Sequence, residues 1–292
     1  MASSHKQSLI QPGRPVLLIG RGGTLGRAWA QLMESLGIDY RPVSHDTLDL
    51  TRPDTIAPIV EDRYGVVVNC AAYTAVDKAE SEEQLANQIN GHGLGALAHR
   101  CRHTRALLVN YSTDYVFNGH ASAPYPVDAP IEPLNAYGRS KALGEKLLAD
   151  SGCRFLNIRT SWLYAPWGTN FVRTIAGLLR TKEQIKVVDD QRGRPTSAEH
   201  LAKLSLGLIQ AGAQGMFHGT DGGQCTWREF AAEIGRVIGS SCRVDPCSTD
   251  QFPRPAKRPA YSVMDLTKTE AILGPMPDWT INLTSALGRL EM

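Results

Sequence analysis

Thr113, Tyr137 and Lys141 are the side chains whose types and spacing suit proton transfer to a carbonyl. Ser112 and Thr113 follow the apolar run Ala106-Leu107-Leu108-Val109, which puts them at the carboxyl end of a predicted strand. In open α/β sheets that is the edge where ligands bind. Tyr137 and Lys141 are four residues apart in a stretch of helical spacing, so they share a helix face. A free phenol titrates near ~10 and is a poor acid at neutral pH. A neighbouring ammonium favours the phenolate, so a lowered pKa is predicted for Tyr137. With the Thr113 hydroxyl holding a ketone oxygen, the three make a proton donor for a carbonyl under reduction. A Tyr-x-x-x-Lys pair alone is as readily a packed ring beside a solvated charge. Its place after a strand ending in Ser-Thr, and downstream of a glycine fingerprint, favours the chemistry.

The fingerprint follows the apolar run Val16-Leu17-Leu18-Ile19, read as a buried first strand. Gly20, Arg21, Gly23, Thr24, Leu25 and Gly26 fall in a turn spaced Gly-x-x-Gly-x-x-Gly, and a helix is predicted through Leu36. Strand, glycine turn and helix form the context of a dinucleotide site. Gly20 permits the turn, Gly23 lets backbone approach a pyrophosphate, and Gly26 lets helix pack on strand. The helix amino end then offers N–H groups to phosphate. After a second strand at 40–43 come Ser44 and His45, not the acidic residue that grips an adenosine ribose. Nothing there repels a 2′-phosphate, and Arg21 could pair with one. NADPH is therefore expected, with NADH allowed. Asp49 and Leu50 are candidates for the adenine edge. Ala71, Ala72 and Tyr73, at the end of a strand at 66–69, let backbone lie close to the cofactor.

Strands and helices alternate for two-thirds of the chain, which predicts an α/β, Rossmann-like doubly wound parallel sheet. Thr51 and Pro53 signal a helix start. Asn90 is expected to open a helix over 91–103. A proline-rich loop, 118–135, is expected to cover the site before the helix 136–149. A strand at 155–158, a helix at 170–180, a strand at 185–188, a helix at 198–211 and a strand at 216–218 follow. Thr226 with Glu229, and Thr267 with Glu270, read as capping boxes. The expected division is a cofactor domain over 14–165, also receiving 185–218, and a smaller substrate-binding lobe mainly over 166–292.

The 292 residues are 42% hydrophobic and 21% charged, with net charge +2, values typical of a globular protein. That balance gives no footprint for nucleic acid or a membrane surface. Arg254, Lys257 and Arg258 form the densest basic group, suited to solvent or to a diphosphate. None of the six cysteines forms a Cys-x-x-Cys pair, so free thiols in a reducing cytoplasm are expected. Residues 1–14 are polar, without the apolar core of a signal peptide.

From about residue 15 onward the chain resembles the extended short-chain dehydrogenases/reductases, and within them the dTDP-4-dehydrorhamnose reductase family. The resemblance is carried by Gly20-x-x-Gly23-x-x-Gly26, the stretch Ala72 to Glu80, Ser112-Thr113-Asp114-Tyr115-Val116-Phe117, Tyr137-Gly138-x-x-Lys141, Arg159 to Tyr164, Asp190-Gln191-x-Gly193-x-Pro195-Thr196 and Arg258-Pro259-x-x-Ser262. It implies reduction of a dTDP-4-keto-6-deoxy-sugar by NADPH or NADH. It implies Tyr137 as proton donor, Lys141 holding the nicotinamide ribose, and Thr113 on the ketone oxygen. It also implies Trp162 against the sugar, with Thr74, Val76, Asp114 and Tyr115 around the substrate. Asn170, Arg194 and Arg258 are polar groups that could reach the nucleotide or diphosphate. Some members of the family are metal-linked dimers through acidic residues near the carboxyl end. Here only Glu291 stands there, so no metal is expected. A homodimer is compatible with a fold that commonly pairs.

Three alternatives share parts of this pattern. Nucleotide-sugar dehydratases resemble Thr-Asp-Glu at the strand end, whereas this chain has Thr113-Asp114-Tyr115. Epimerases use the same Tyr and Lys but retain their cofactor tightly. The resemblance also extends to a non-catalytic regulatory subunit of methionine adenosyltransferase. The presence of Thr113, Tyr137, Lys141 and Trp162 together favours the reductase.

Overall fold

The computed structural model describes residues 14–290. Glu291 and the polar residues 1–13 lie outside them. Val16–Ile19 (β1) is buried throughout, as a central strand covered on both faces must be. It leads into Thr24–Ser35 (α1), which buries Leu25, Ala28, Trp29 and Met33 along one stripe. Tyr40–Val43 (β2) follows. The start signal at Thr51 and Pro53 yields only a 3-10 turn, Pro53–Thr55. Then come Val66–Asn69 (β3) and the short helix Val76–Ala79 (α2).

Glu83–Asn87 (α3), a π turn over Gln88–Gly93 and Leu94–Thr104 (α4) run on as one helical stretch. Asn90 therefore lies inside a helical stretch instead of opening one. Its neighbouring glycines mark close packing, not a boundary. A Cβ on Gly91 would come within 2.5 Å of Leu143, and one on Gly93 within 2.3 Å of the Leu50 carbonyl.

Leu107–Thr113 (β4) is wholly buried, and Ala136–Asp150 (α5) is capped by the Asn135 side chain. The remaining elements are Phe155–Thr160 (β5), Leu163–Tyr164 (β6), Phe171–Thr181 (α6), Gln184–Val188 (β7), Arg192–Gly193 (β8), Thr196–Ser197 (β9), Ala198–Gln210 (α7), Gly215–His218 (β10), Cys225–Thr226 (β11), Trp227–Val237 (α8), Arg243–Cys247 (β12), Thr267–Leu273 (α9) and Trp279–Leu287 (α10). Six strands pair in the order β10-β5-β4-β3-β1-β2, all parallel. Side chains of α1 and α7 fill one face of the sheet, and those of α4 and α5 fill the other. Across the middle, Asn69 donates to Asn110 at 2.9 Å, and Asn110 donates to Asn157 at 2.7 Å. These buried amides satisfy one another in register, which a slipped strand could not do.

A second apolar cluster contains Tyr164, Val172, Ile175, Leu179, Phe230, Ile234, Trp279 and Leu283. Here the sequence expectation needs correcting. Residues 184–188 do not enter the main sheet; β7 pairs with β12. The reason is visible in its side chains: Gln184 and Lys186 are exposed while Val187 is buried. Such a strand suits a small half-covered sheet, not the middle of a parallel one. From the 185–218 stretch, β10 joins the six strands and α7 packs against α1.

The capping box of α8 is present, with Thr226 and Glu229 each bonding the other's backbone. The one expected at Thr267 is not. Leu266 occupies the cap position, and the Asp265 carboxylate accepts the Thr267 N–H at 2.6 Å. All six cysteines are unpaired. No described helix is long and apolar enough to cross a membrane.

Candidate active site

At the β1–α1 turn, Gly20 has φ +80°, and a Cβ there would meet the Ala71 N at 2.7 Å. A Cβ on Gly26 would fall 2.1 Å from the Gly20 carbonyl. Both positions therefore require glycine. Gly23 is different: its φ is −77°, and an added Cβ would meet only the Gly20 carbonyl, at 3.5 Å. Its missing side chain leaves the turn open from outside. Gly23 caps α1 without a side-chain hydrogen bond, and no acidic residue occupies the first turn. Leu25 is buried beneath it. The Thr24 carbonyl accepts the Trp167 indole N–H, and the first N–H groups of a helix have no partner within it. Free N–H groups, a bare glycine and a positive helix end fit a pyrophosphate.

Gly20 N–H donates to the Val43 carbonyl, which sets exposed Ser44 and His45 beside the turn. Arg21 is half exposed, its guanidinium 3.9 Å from Glu34. The Asp49 carboxylate is occupied by the Thr51 N–H and hydroxyl at 2.8 and 2.7 Å, and Leu50 is buried. The β3 end is held by side chains. Asn69 Oδ1 accepts the Ala71 N–H at 3.2 Å, and Ala72 follows. Asn90, from the π turn, accepts the Tyr73 N–H at 2.9 Å and donates to the Tyr73 carbonyl at 3.0 Å. These residues fit a dinucleotide lying along the carboxyl edge of β1 and β3.

The candidate reacting groups converge from β4 and α5. The Tyr137 hydroxyl faces the Thr113 side chain. Tyr115 packs edge-on against the Tyr137 ring, with centroids 5.8 Å apart. The expected lowering of the phenol does not occur. Burial pushes Tyr137 up to about 12, Thr113 opposes the rise, and the Asp114 charge adds to it. Lys141 Nζ instead donates to the Tyr111 carbonyl at 2.6 Å, and burial brings the amine down to about 8. Spacing correctly suggests that Tyr137 and Lys141 are neighbours on one helix. It does not reveal the carbonyl that takes the ammonium. Asp114 is buried behind Thr113, with the Ser262 side chain near it.

Beside these groups opens a cavity of about 1120 Å³. Tyr115 and Arg258 line it, together with Phe171, Gln191, Trp227, Phe252 and Arg254. Arg258 bonds Asp77 through both terminal nitrogens, at 2.8 and 3.0 Å. Arg254 lies 3.8 Å from the same carboxylate. Thr74 is exposed and Val76 part-buried in the segment leading to Asp77.

Three expected substrate groups are placed elsewhere. Trp162 does not line the cavity; its ring stacks on Trp227 at 3.6 Å, with Gly193 against the indole. It adopts φ 48°, a region bulky side chains rarely enter. Asn170 caps α6 and donates to the Ala165 and Trp167 carbonyls. Arg194 lies near Tyr261, Asp265 and Glu270, with a buried Nε that has no partner. Nor does the 118–135 loop line the cavity. Tyr125 pairs with Val263 and Asp265 and stacks on Phe117, so the loop is fastened to the chain at 263–265. Among the groups sequence reasoning missed, Trp227 and Asp77 left a signal. Trp227 begins a capped helix, and Asp77 stands within the Ala72–Glu80 stretch. Asn90 left none, because a π turn has no simple residue pattern.

Comparison with known proteins agrees with this geometry. A family model described as the RmlD substrate binding domain matches residues 14–292. A dTDP-4-dehydrorhamnose reductase of Burkholderia thailandensis is 41% identical, covering 90% of this chain and 95% of that protein. A probable dTDP-4,6-dihydroxy-2-methyloxan-3-one 4-ketoreductase of Streptomyces antibioticus is 40% identical over 92% of this chain and 93% of its own length. The dTDP-4-dehydrorhamnose reductase of Bacillus anthracis, solved in complex with NADP, superposes with a TM-score of 0.90 at 34% identity, covering 94% of this chain and 98% of that one. The chain belongs to the dTDP-4-dehydrorhamnose reductase family.

Proposed function

We propose that this protein reduces the C4 ketone of dTDP-4-dehydrorhamnose with NADPH, giving dTDP-L-rhamnose. The observation that carries the proposal is the meeting of the buried Tyr137 and Thr113 side chains at the carboxyl end of β4, beside a cavity lined by two arginines. Bound along Gly20, Gly23, Gly26, Ala71, Ala72 and Lys141, the cofactor supplies hydride. The chain's own residues do the rest. Tyr137 gives its proton to the oxygen of the ketone as that oxygen becomes an alkoxide. A phenol raised to about 12 suits this task, because it stays protonated at neutral pH and is still a stronger acid than the alcohol it forms. Arg258 and Arg254 are placed to meet a diphosphate, and Trp227 and Phe171 give an apolar wall for the nucleoside.

In this arrangement residues 14–165 with α7 and β10 serve the cofactor, and the remaining carboxyl-terminal part serves the substrate. A dTDP-linked sugar is the expected partner, and the cytoplasm, where such nucleotides are made and used, the expected compartment. The test is NADPH oxidation with dTDP-4-dehydrorhamnose and with its C4-keto isomers, with product stereochemistry determined. Turnover of the first to dTDP-L-rhamnose is expected. No ketosugar-dependent loss of NADPH with any of them would refute the proposal.

A further inference from the structure

A threonine hydroxyl has one proton and two lone pairs. At Thr113 the proton and one lone pair are in use. The hydroxyl donates to Asp114 Oδ1 at 3.1 Å and accepts the Tyr115 N–H at 3.2 Å. The Tyr137 hydroxyl faces it as well. The Thr113 proton goes to the carboxylate. A ketone oxygen only accepts hydrogen bonds. With Asp114 ionised, Thr113 therefore has nothing to give it.

The carboxylate is itself incompletely served. Asp114 and Thr113 are 2% and 6% exposed. Asp114 Oδ2 and the adjacent Ser112 hydroxyl are buried without hydrogen-bond partners. We propose that Asp114 sets the direction of the Thr113 hydroxyl, which serves the ketone oxygen only when the Asp114 carboxyl carries a proton. A protonated carboxyl can donate to Thr113 Oγ1, and the threonine proton is then free to turn towards substrate. Asp114 is thus a positioning residue acting through Thr113. The proposal rests on the reductase function.

Burial supports it by pushing Asp114 up to about 6, against the lowering by the Ser262 and Thr113 side chains and the backbone N–H groups of Asp114 and Tyr115. The other titratable groups facing it are the phenols of Tyr115 and Tyr137. Arg258 and Asp77 stand behind Tyr115, and Lys141 is turned to the Tyr111 carbonyl.

Two measurements test the idea. Infrared difference spectra should show a protonated-carboxyl band in the wild type that is absent from Asp114→Asn and fades as pH rises through about 6. Thr113→Val and Ser262→Ala each remove a hydroxyl that lowers the carboxyl, so each should move that midpoint upward. An unchanged midpoint in Thr113→Val would mean the two groups are uncoupled and would overturn the proposal. This readout needs no turnover, so it decides the matter even if ketosugar reduction is never seen. The second measurement is kcat against pH. The wild type should lose activity from about pH 6 to about pH 8. Ser262→Ala should lose it at higher pH. Asp114→Asn, whose amide donates at every pH, should be flat across that range. A wild-type kcat that is flat, or Asp114→Asn falling in parallel with the wild type, would reject it.

Discussion

The β1–α1 turn and the substrate cavity lie side by side, yet they are built on different principles. The turn is made of backbone contributed by seven consecutive residues, Gly20 to Gly26. Its demands are steric, and glycine alone meets two of them. The cavity is made of side chains drawn from residues 115, 171, 191, 227, 254 and 258, which meet only once the chain has folded. Its demands are chemical: charge for a diphosphate, aromatic surface for a ring. A site made of local backbone resists substitution and is written in a short motif. A site made of distant side chains can be retuned one residue at a time. The proposed catalytic groups lie between these extremes, with Thr113 on one element and Tyr137 and Lys141 on another.

The largest effect is expected where the two regions meet. Tyr137→Phe removes the proton donor and keeps the ring. Its kcat should fall by about 10²- to 10⁴-fold, while NADPH affinity, measured by fluorescence titration, stays near the wild-type value. Normal turnover by this variant would show that the two regions meet elsewhere. Next is the turn. Gly26→Ala drives a Cβ towards the Gly20 carbonyl and should cost about 3 kcal/mol in a denaturant melt, the upper end of ordinary overpacking. Gly23→Ala meets nothing closer than 3.5 Å. It should leave stability within about 0.5 kcal/mol and weaken NADPH binding instead. Equal stability losses in both variants would erase the distinction between a packing glycine and a binding glycine.

What the sequence reveals follows the same division. The central strands were legible because they are apolar on both faces, and the turn because its glycines are closely and regularly spaced. β7 was misassigned because Gln-Ile-Lys-Val-Val contains enough β-branched residues to look like a sheet strand. Its alternate exposure appears only in the fold. Tyr137, Lys141 and Thr113 were legible as a set, but the phenol was predicted to titrate low. Burial, which raises it, and the Tyr111 carbonyl, which occupies Lys141, are tertiary facts. Trp162 was assigned to the substrate because the family resemblance implies it there. The ring that reaches the cavity is Trp227, some sixty positions on, with Trp162 stacked behind it.

On the cavity side, Arg258→Gln should raise KM for the nucleotide sugar about tenfold, the equivalent of ~1.4 kcal/mol, with NADPH affinity unchanged. The fork that now holds Asp77 would be lost with the charge, so the substitution also loosens the wall of the cavity. If NADPH affinity fell in step with KM, the arginine would belong to both regions, and the comparison would have to be redrawn.

The smallest effect concerns the clasp between Asp77 and Arg258, which joins the segment after β3 to the cavity wall. The Arg258 hydrogen bonds hold the Asp77 carboxyl below its ordinary range against a partial burial that raises it; the Ala256 N–H and Arg254 help. A depressed carboxyl pKa stabilises the fold above the unfolded value near ~3.9 and loses that contribution as pH falls through the folded value. Asp77→Asn should therefore melt below the wild type at neutral pH. The gap should be at most about 1 kcal/mol, because the pair is partly exposed and salt weakens it. Once the pH is below that folded value the two proteins should converge, since the wild-type carboxyl is then protonated as well. A gap that persisted in acid would mean that Asp77 acts through the shape of its contacts with residues 256–258 and not through its charge. The cavity wall would then owe its position to packing, as the glycine turn does.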